Sequence, residues 1–564
     1  MTQLRLKLDA EVPRSAYDYG ARTSGATHGV VLTKPHVVEL ILDLAGYTSD
    51  RDLSVVPLLE PACGKGAFLR PAVKRLMHSA HRLHRKPTDL RDAIVAYDID
   101  PAHVAESRAM VCDTLTANGC SARTAVSLAE SWVREGDFLL AAERPRFGAV
   151  VGNPPYVRIE QIAPRLQSEY RDRFVSIYDR ADLYVAFIEH GLNLLRPDGV
   201  LSFVCADRWT LNKYGAPLRE FIAKRFKVRA YIDLHDASPF ESEVIAYPAI
   251  FALTQGASKS VAVAKLETAS ERECADLRDV LREPRIVRPG VQVSIYDTWF
   301  AGNEPWTLTS PAHLTILRDL EARFAPIEAD GRSRIGIGIA TGNDKVYIVG
   351  EDADIERDRL VPLVMREDIE KGEIRDARRF VVNAFKPAGS VVDLLEYPRL
   401  SQYLQKHETA IRARHVAKTN PHAWFRTIDR VYPALVSQPK LLIPDIAGAN
   451  EVVLDTGRFH PHHNLYFVTS ESWDMEVLGA LLSSRVALFF VWSYAVKMRG
   501  GYLRFQAQYL RRIRVPSPQT IPARLAKSLA AAFRRRDFAK IDDLALKAYE
   551  LNELPSFPFV DTRG

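Results

Sequence analysis

The residues with the plainest chemistry in this chain are Asn153-Pro154-Pro155-Tyr156, which follow the apolar run Phe147-Gly-Ala-Val-Val-Gly152. Two successive prolines fix φ and remove two backbone donors, so the segment is stiff and rich in free acceptors. The Asn153 side-chain oxygen and the Pro154 carbonyl can together accept both hydrogens of an amine, while Tyr156 offers a face to a planar ring. The pattern predicts a clamp for an –NH2 group on a flat ring. Attack by nitrogen needs no thiol, so Cys63 and Cys205 are expected as buried, small apolar side chains.

A second group of residues suits a nucleoside-like cofactor. Leu58-Leu-Glu60-Pro-Ala62-Cys-Gly64-Lys-Gly66-Ala-Phe-Leu69 reads as a strand ending in a carboxylate, a glycine turn and a helix. Gly64 and Gly66 permit the tight turn and close backbone approach that such a ligand needs. The third glycine of the dinucleotide fingerprint is missing, with Leu69 in its place, which disfavours NAD. The next strand ends at Asp98, with Asp100 close behind, and carboxylates there accept hydrogen bonds from ribose hydroxyls. Glu135-Gly-Asp137-Phe138 then offers a carboxylate and an aromatic ring to the edge and face of an adenine.

The clamp, the glycine turn and Asp98 each follow a short apolar run, Glu135–Phe138 follows a strand-like approach, and the runs set the architecture. Residues 54–59, 93–97, 149–151, 200–204, 229–234 and 249–253 read as strands separated by helix-length segments, which predicts a Rossmann-like, mostly parallel α/β sheet over 1–255. Ligands in such sheets sit beyond the carboxyl ends of the strands. Residues 256–310, with a charged helical patch at 267–285, lack a core period and read as a connecting region. From 311 to 520 short strands (336–350, 440–445, 465–470) mix with helices such as 474–495, a mixed α/β domain, and 521–564 reads as a C-terminal helical segment with a basic helix over 522–550.

Length and charge narrow the class further. The chain has 564 residues, too many for one core, and its 47% hydrophobic content excludes disorder as the main state. A net charge of +6 says little about a partner, but residues 401–536 alone carry 20 Lys+Arg and 8 Asp+Glu, so the remainder is acidic. Arginines interleaved with aromatics, as in 422–426, 499–505 and 509–514, form the footprint of a nucleic-acid surface. Five scattered cysteines without a Cys-x-x-Cys pair argue against disulfides and a zinc site. No run approaches the length of a membrane span, so an unprocessed, cytoplasmic protein is expected.

Taken in order, the motifs resemble those of class I S-adenosylmethionine-dependent amino-methyltransferases, and among them the gamma-type, TaqI-like DNA adenine-N6 methyltransferases of restriction–modification systems. His28-Gly-Val-Val-Leu-Thr33-Lys-Pro35 resembles the motif whose Thr and Pro flank the methionine end of the cofactor. Glu60, Ala62, Gly64 and Gly66, then Asp98, then Asp137 and Phe138, then Asn153 to Tyr156 with Pro155 on the cofactor side, are similar to the family's successive cofactor and catalytic motifs. Asp182-Leu-Tyr-Val-Ala-Phe187 resembles the helix after the catalytic loop, and Phe240 the aromatic that stacks on an extruded adenine opposite Tyr156. Ile335–Asn343 and Gly500–Gln506 are similar to segments of the target-recognition domain. Lys65 departs from the small or polar residue usual at its position. The resemblance implies S-adenosyl-L-methionine as cofactor, double-stranded DNA as partner, methylation of the N6 amine of a flipped adenine, and a separately encoded restriction endonuclease.

Alternatives remain from the residues alone. The same clamp serves methylation of cytosine N4, of an rRNA guanine or of a protein glutamine, and the fold could act as a DNA-recognition subunit of a defence complex. His460-Pro-His-His463-Asn464 lacks a companion carboxylate or cysteine nearby in sequence, so no metal is expected. Fewer than 30 residues precede the first motif, so a nuclease domain ahead of it is not expected.

Overall fold

Nine strands of the first half form one sheet: β1 (Leu58–Glu60), β2 (Ile94–Asp98), β3 (Val133–Glu135), β4 (Phe147–Gly152), β5 (Leu195–Ala206), β6 (Lys227–Asp233), β7 (Pro248–Thr254), β8 (Val261–Lys265) and β9 (Gln292–Tyr296). Their order is β3-β2-β1-β4-β5-β7-β6-β8-β9, with β1 to β5 mutually parallel and β7 antiparallel between β5 and β6. The computed structural model describes residues 31–561 apart from 243–246, 256–259, 284–285, 287, 289–290, 298, 301, 308–309, 376–377 and 496–500. The chain divides into two units after Trp306.

Helices α1 (Pro35–Leu44), α2 (Leu69–Arg82), α3 (Pro101–Ala117), α4 (Ala122–Trp132), α5 (Pro164–Arg173), α6 (Tyr184–Asn193), α7 (Ala216–Arg225) and α8 (Glu271–Arg282) complete the first unit. Proline opens α1, α3 and α5, where its fixed φ suits the first turn and the missing N–H costs nothing. Every residue of β4 is buried, as a central parallel strand covered on both faces requires. The parallel strands end on one edge of the sheet, and that edge carries Glu60, Asp98, Glu135 and Asn153.

Several sequence expectations change; among them, the strand expected over 336–350 is instead the strand Ser333–Ile337, the short helix Asp344–Tyr347 and the strand Ile348–Val349. The first strand is shorter than 54–59, because Asp52 accepts the Ser54 N–H at 3.2 Å and winds Leu53–Val55 into a 3-10 turn. Residues 256–310 are not a connection: β8, α8 and β9 continue the sheet, and Trp299 and Trp306 pack with Trp209 into one aromatic cluster. The edge strand β9 and its inner neighbour β8 are only partly buried, and the one apolar run they offer, Val261–Ala264, is short. The helix over 474–495 is two helices, Met475–Ser483 and Arg485–Tyr494, bent by 58° where Ser484 turns extended and caps the second.

The second unit is mixed α/β. One antiparallel sheet joins Ser333–Ile337, Leu465–Ser470, Lys440–Pro444 and Val453–Asp455, and a mixed sheet joins Ile348–Val349, Arg379–Val382, Leu360–Val364 and His460–Pro461, the last two in parallel. Lys440 and Asp455 form a fully buried ion pair at 2.8 Å between neighbouring strands. The terminal segment folds into this unit as Ala523–Arg535 and Phe538–Ala548, divided at Arg536, whose φ is 55°. No single helix among the described residues is long and apolar enough to cross a membrane.

Space supplies what the sequence around His460–Asn464 lacks. The Asp344 carboxylate, 118 positions earlier, lies 3.1 Å from His462 Nε2.

Candidate cofactor and amine-binding site

A cavity of about 1010 Å³ lies along the carboxyl edge of β1 to β4, large enough for a nucleoside with a side chain. Its lining contains Thr33, Glu60, Ala62, Gly64, Asp98, Asp137, Phe138 and the whole of Asn153 to Tyr156. Residues predicted from five separate stretches of sequence therefore meet in one place. Residues 28–30 of the first motif lie outside the described residues.

The glycine turn is built around Asp98. Gly64 N–H donates to Asp98 Oδ2 at 2.7 Å, and Asp100 N–H donates to Oδ1 at 2.9 Å. His103 Nδ1 sits 3.3 Å from the same Oδ1. A carboxylate offers about four lone-pair sites, and these contacts leave one on Oδ2 for a ribose hydroxyl. Asp100 itself turns away to cap α3 through Ala102 N–H at 2.8 Å. Gly66 has φ +82°, and a Cβ there would come within 2.2 Å of Met110 Cε, so the turn requires glycine. Gly66 and Pro35 shape the frame and do not line the cavity.

Glu60 is 1% exposed, and its Oε2 has no hydrogen-bond partner among the described residues. Burial, with the Asp98 carboxylate adding to it, holds its pKa well above the ordinary carboxyl range. Such a group calls for a cation, and the ammonium of a methionine moiety meets that need. Asp137 accepts Leu139 N–H at 2.9 Å and the Tyr170 hydroxyl at 2.5 Å. Burial raises its pKa, while these two donors pull it back. Phe138 packs on Phe187 and His190 at 5.4 and 4.6 Å between centroids and presents its remaining surface to the cavity. The donor set thus fits S-adenosylmethionine: an acid for the ammonium, an acid for the ribose, and an acid beside an aromatic for the adenine.

The candidate amine clamp is half satisfied. Asn153 Nδ2 donates to the Val31 carbonyl at 2.9 Å and to Thr33 Oγ1 at 3.3 Å, which orients the amide. The opposite atom, Asn153 Oδ1, is buried and has no partner among the described residues. Tyr156 lies edge to face with Phe240 at 6.2 Å and with Tyr184 at 6.2 Å. Phe240 bridges to Thr33 in an antiparallel β-contact and is only 5% exposed. Its ring stands at 84° to that of Tyr156, so the two do not form parallel faces for a base in this arrangement.

Sequence reasoning missed the supports that come from separate segments. Tyr170 on α5 reaches Asp137, and Ser107 on α3 donates to the Gly64 carbonyl at 2.8 Å. Behind Tyr156, the hydroxyl of Tyr184 donates to Asp182 Oδ2 at 3.0 Å and meets that of Tyr214 at 2.7 Å. The Asp182-Leu-Tyr184 pattern was the available signal for this network.

The Eco57I restriction-modification methylase family matches residues 110–240. The Type II methyltransferase M.BstVI of Geobacillus stearothermophilus is 44% identical over 541 residues, covering 93% of this chain and 96% of that protein. M.PaeR7I of Pseudomonas aeruginosa, also a Type II methyltransferase, is 44% identical over 529 residues, covering 93% and 92%. Among solved structures, the Type IIL restriction-modification enzyme MmeI in complex with DNA has the same fold at 12% identity, with a TM-score of 0.61 over 93% of this chain and 74% of that one. The chain belongs to the Type II methyltransferases of restriction–modification systems and is an S-adenosylmethionine-dependent DNA methyltransferase.

Proposed function

We propose that the enzyme methylates the N6 amine of an adenine flipped out of a specific double-stranded DNA sequence. The observation that carries this reading is Asn153 Oδ1, a buried acceptor without a partner among the described residues, on the cavity shared with Glu60 and Asp98. Bound in that cavity, S-adenosylmethionine supplies a sulfonium methyl open to in-line attack by nitrogen. Glu60 binds the ammonium, Asp98 Oδ2 a ribose hydroxyl, and Asp137 with Phe138 the adenine, with Thr33, Ala62 and Pro155 as walls.

The amine of adenine is conjugated with its ring and a poor nucleophile. Asn153 Oδ1 and the Pro154 carbonyl accept its two hydrogens, turn its lone pair toward the methyl and stabilise the positive charge that grows on nitrogen. No carboxylate needs to take the proton, which leaves to water after transfer. Extruding the base costs a few kcal/mol, and stacking on Tyr156 returns about 1 to 3 kcal/mol. Phe240 joins that stack only after its ring turns out of its edge-on contact.

The second unit reads the sequence in this proposal, through Arg, Asn and Gln side chains at base edges and Lys and Arg at phosphates. Several of its cations serve the fold instead. Arg504 pairs with Asp445, Arg511 with Glu328, and Arg414 donates to the Thr341, Trp424 and Arg426 carbonyls. A separately encoded endonuclease in the cytoplasm is the proposed partner. The test is nucleoside analysis of DNA methylated by the purified enzyme: N6-methyladenine supports the reading, and N4-methylcytosine, or label only in RNA or protein, refutes it.

A further inference from the structure

We propose that Asp344, His462 and His463 in the second unit bind a divalent transition-metal ion, with zinc as the best chemical match. The methyl-transfer chemistry uses none of the three. One ligand atom from each lies within 4.8 Å of the others, and His462 Nε2 and Asp344 Oδ2 are 3.1 Å apart. Zinc bonds of about 2.0–2.2 Å to nitrogen and oxygen place tetrahedral ligand atoms about 3.4 Å from one another. Small side-chain movements of the exposed Asp344 and His463 reach that spacing.

The convergence is built into the backbone. Successive residues of an extended chain point to opposite faces, yet the rings of His462 and His463 lie 4.0 Å apart between centroids. The chain turns there, with His462 N–H donating to the Val364 carbonyl, His463 N–H to the Ile339 carbonyl and Leu465 N–H to the His462 carbonyl, all at 2.9 to 3.0 Å. Gly338 lets the two segments touch, since a Cβ would come within 2.1 Å of the His462 carbonyl oxygen. Asp344 is aimed as well: its Oδ1 accepts the Thr341 hydroxyl at 2.5 Å, which turns Oδ2 to the imidazole.

The donor set selects the ion. Two imidazoles and one carboxylate suit zinc and its neighbours, whereas magnesium and calcium prefer oxygen shells. Three protein ligands leave a fourth position for water, and the exposure of Asp344 and His463 opens that position to solvent. The ion would pin the Ile335–Asn343 segment to the turn at His462. Without it, three backbone hydrogen bonds hold them: Gly338 N–H to the Leu465 carbonyl, Ile339 N–H to the Pro461 carbonyl and His463 N–H to the Ile339 carbonyl.

The full-length enzyme, stripped with a chelator and dialysed, is titrated with Zn2+ by calorimetry and with Co2+ by visible absorption. One equivalent is taken up by the wild type, with the d–d bands of a four-coordinate cobalt site. Asp344→Asn and His463→Gln change exposed side chains, so the fold survives, and each lowers metal affinity by at least about tenfold, on the scale by which altered metal-site partners weaken binding. His463→Cys retains the site and adds a thiolate charge-transfer band. No stoichiometric uptake by the wild type, or uptake undiminished in both Asp344→Asn and His463→Gln, overturns the proposal.

Discussion

Glu60→Gln separates what the active-site carboxylate does for the fold from what it does for the cofactor. At a pH below the ordinary glutamate value of 4.5, folded and unfolded chains both hold the proton. Above it the unfolded chain releases the proton while burial makes the folded chain retain it, so the folded state loses stability as pH rises. The loss is about 1.4 kcal/mol per pH unit until the raised folded pKa is reached. Glutamine cannot titrate and removes that slope. Without cofactor, Glu60→Gln should therefore match the wild type near the acid end and become more resistant to urea as pH rises above 4.5. With S-adenosylmethionine the order reverses, because a charge-assisted hydrogen bond to the ammonium contributes about 1.5–3 kcal/mol. Its loss weakens binding roughly 10- to 150-fold. Urea melts across a pH series and calorimetry with the cofactor measure both. A variant with the wild-type pH slope and the wild-type cofactor affinity refutes the role assigned to Glu60.

Gly66→Ala forces a left-handed φ on alanine, at about 1–2 kcal/mol, and drives its Cβ into Met110 Cε; in a cycle with Met110→Ala the double variant should lose less stability than the two single losses added together. Tyr170→Phe removes a donor that holds the Asp137 carboxyl down, so its pKa rises further and the acid limb of cofactor binding shifts to higher pH; an unmoved limb excludes the contact. Lys440→Met leaves Asp455 charged and buried without its partner and should cost about 3–5 kcal/mol in urea unfolding of the second unit.

Glu60, Asp98 and Asn153 were legible in the sequence because each stands where a short apolar run stops, and a parallel sheet turns that local sign into a shared edge; Asp137 follows the short strand Val133–Glu135, of which only Val133 is buried. Tyr170, Ser107 and Tyr214 were not, since each reaches the site from a helix or turn whose own pattern reports only its packing. The 256–310 stretch misled for a related reason: β8 and the edge strand β9 are half-solvated, with only the short apolar run Val261–Ala264 between them, and the Trp209–Trp299–Trp306 cluster that ties the stretch in joins residues far apart. Ser484 and Arg536 broke helices that periodicity joined, because a cap or one left-handed residue interrupts the backbone without disturbing the apolar spacing. The carboxylate beside His462 was invisible for want of any local signal that Asp344 would return to it.

The amine clamp is tested most directly by the single-turnover rate of Asn153→Ala on its DNA substrate with tritiated S-adenosylmethionine, measured beside the cofactor dissociation constant. Loss of one preorganised polar contact to the reacting group lowers such rates by about 10²–10³. The expected result is a fall of that size with cofactor affinity unchanged, since the proposal assigns Asn153 Oδ1 to the amine and not to the cofactor's own binding groups. Methyl transfer at the wild-type rate contradicts the clamp.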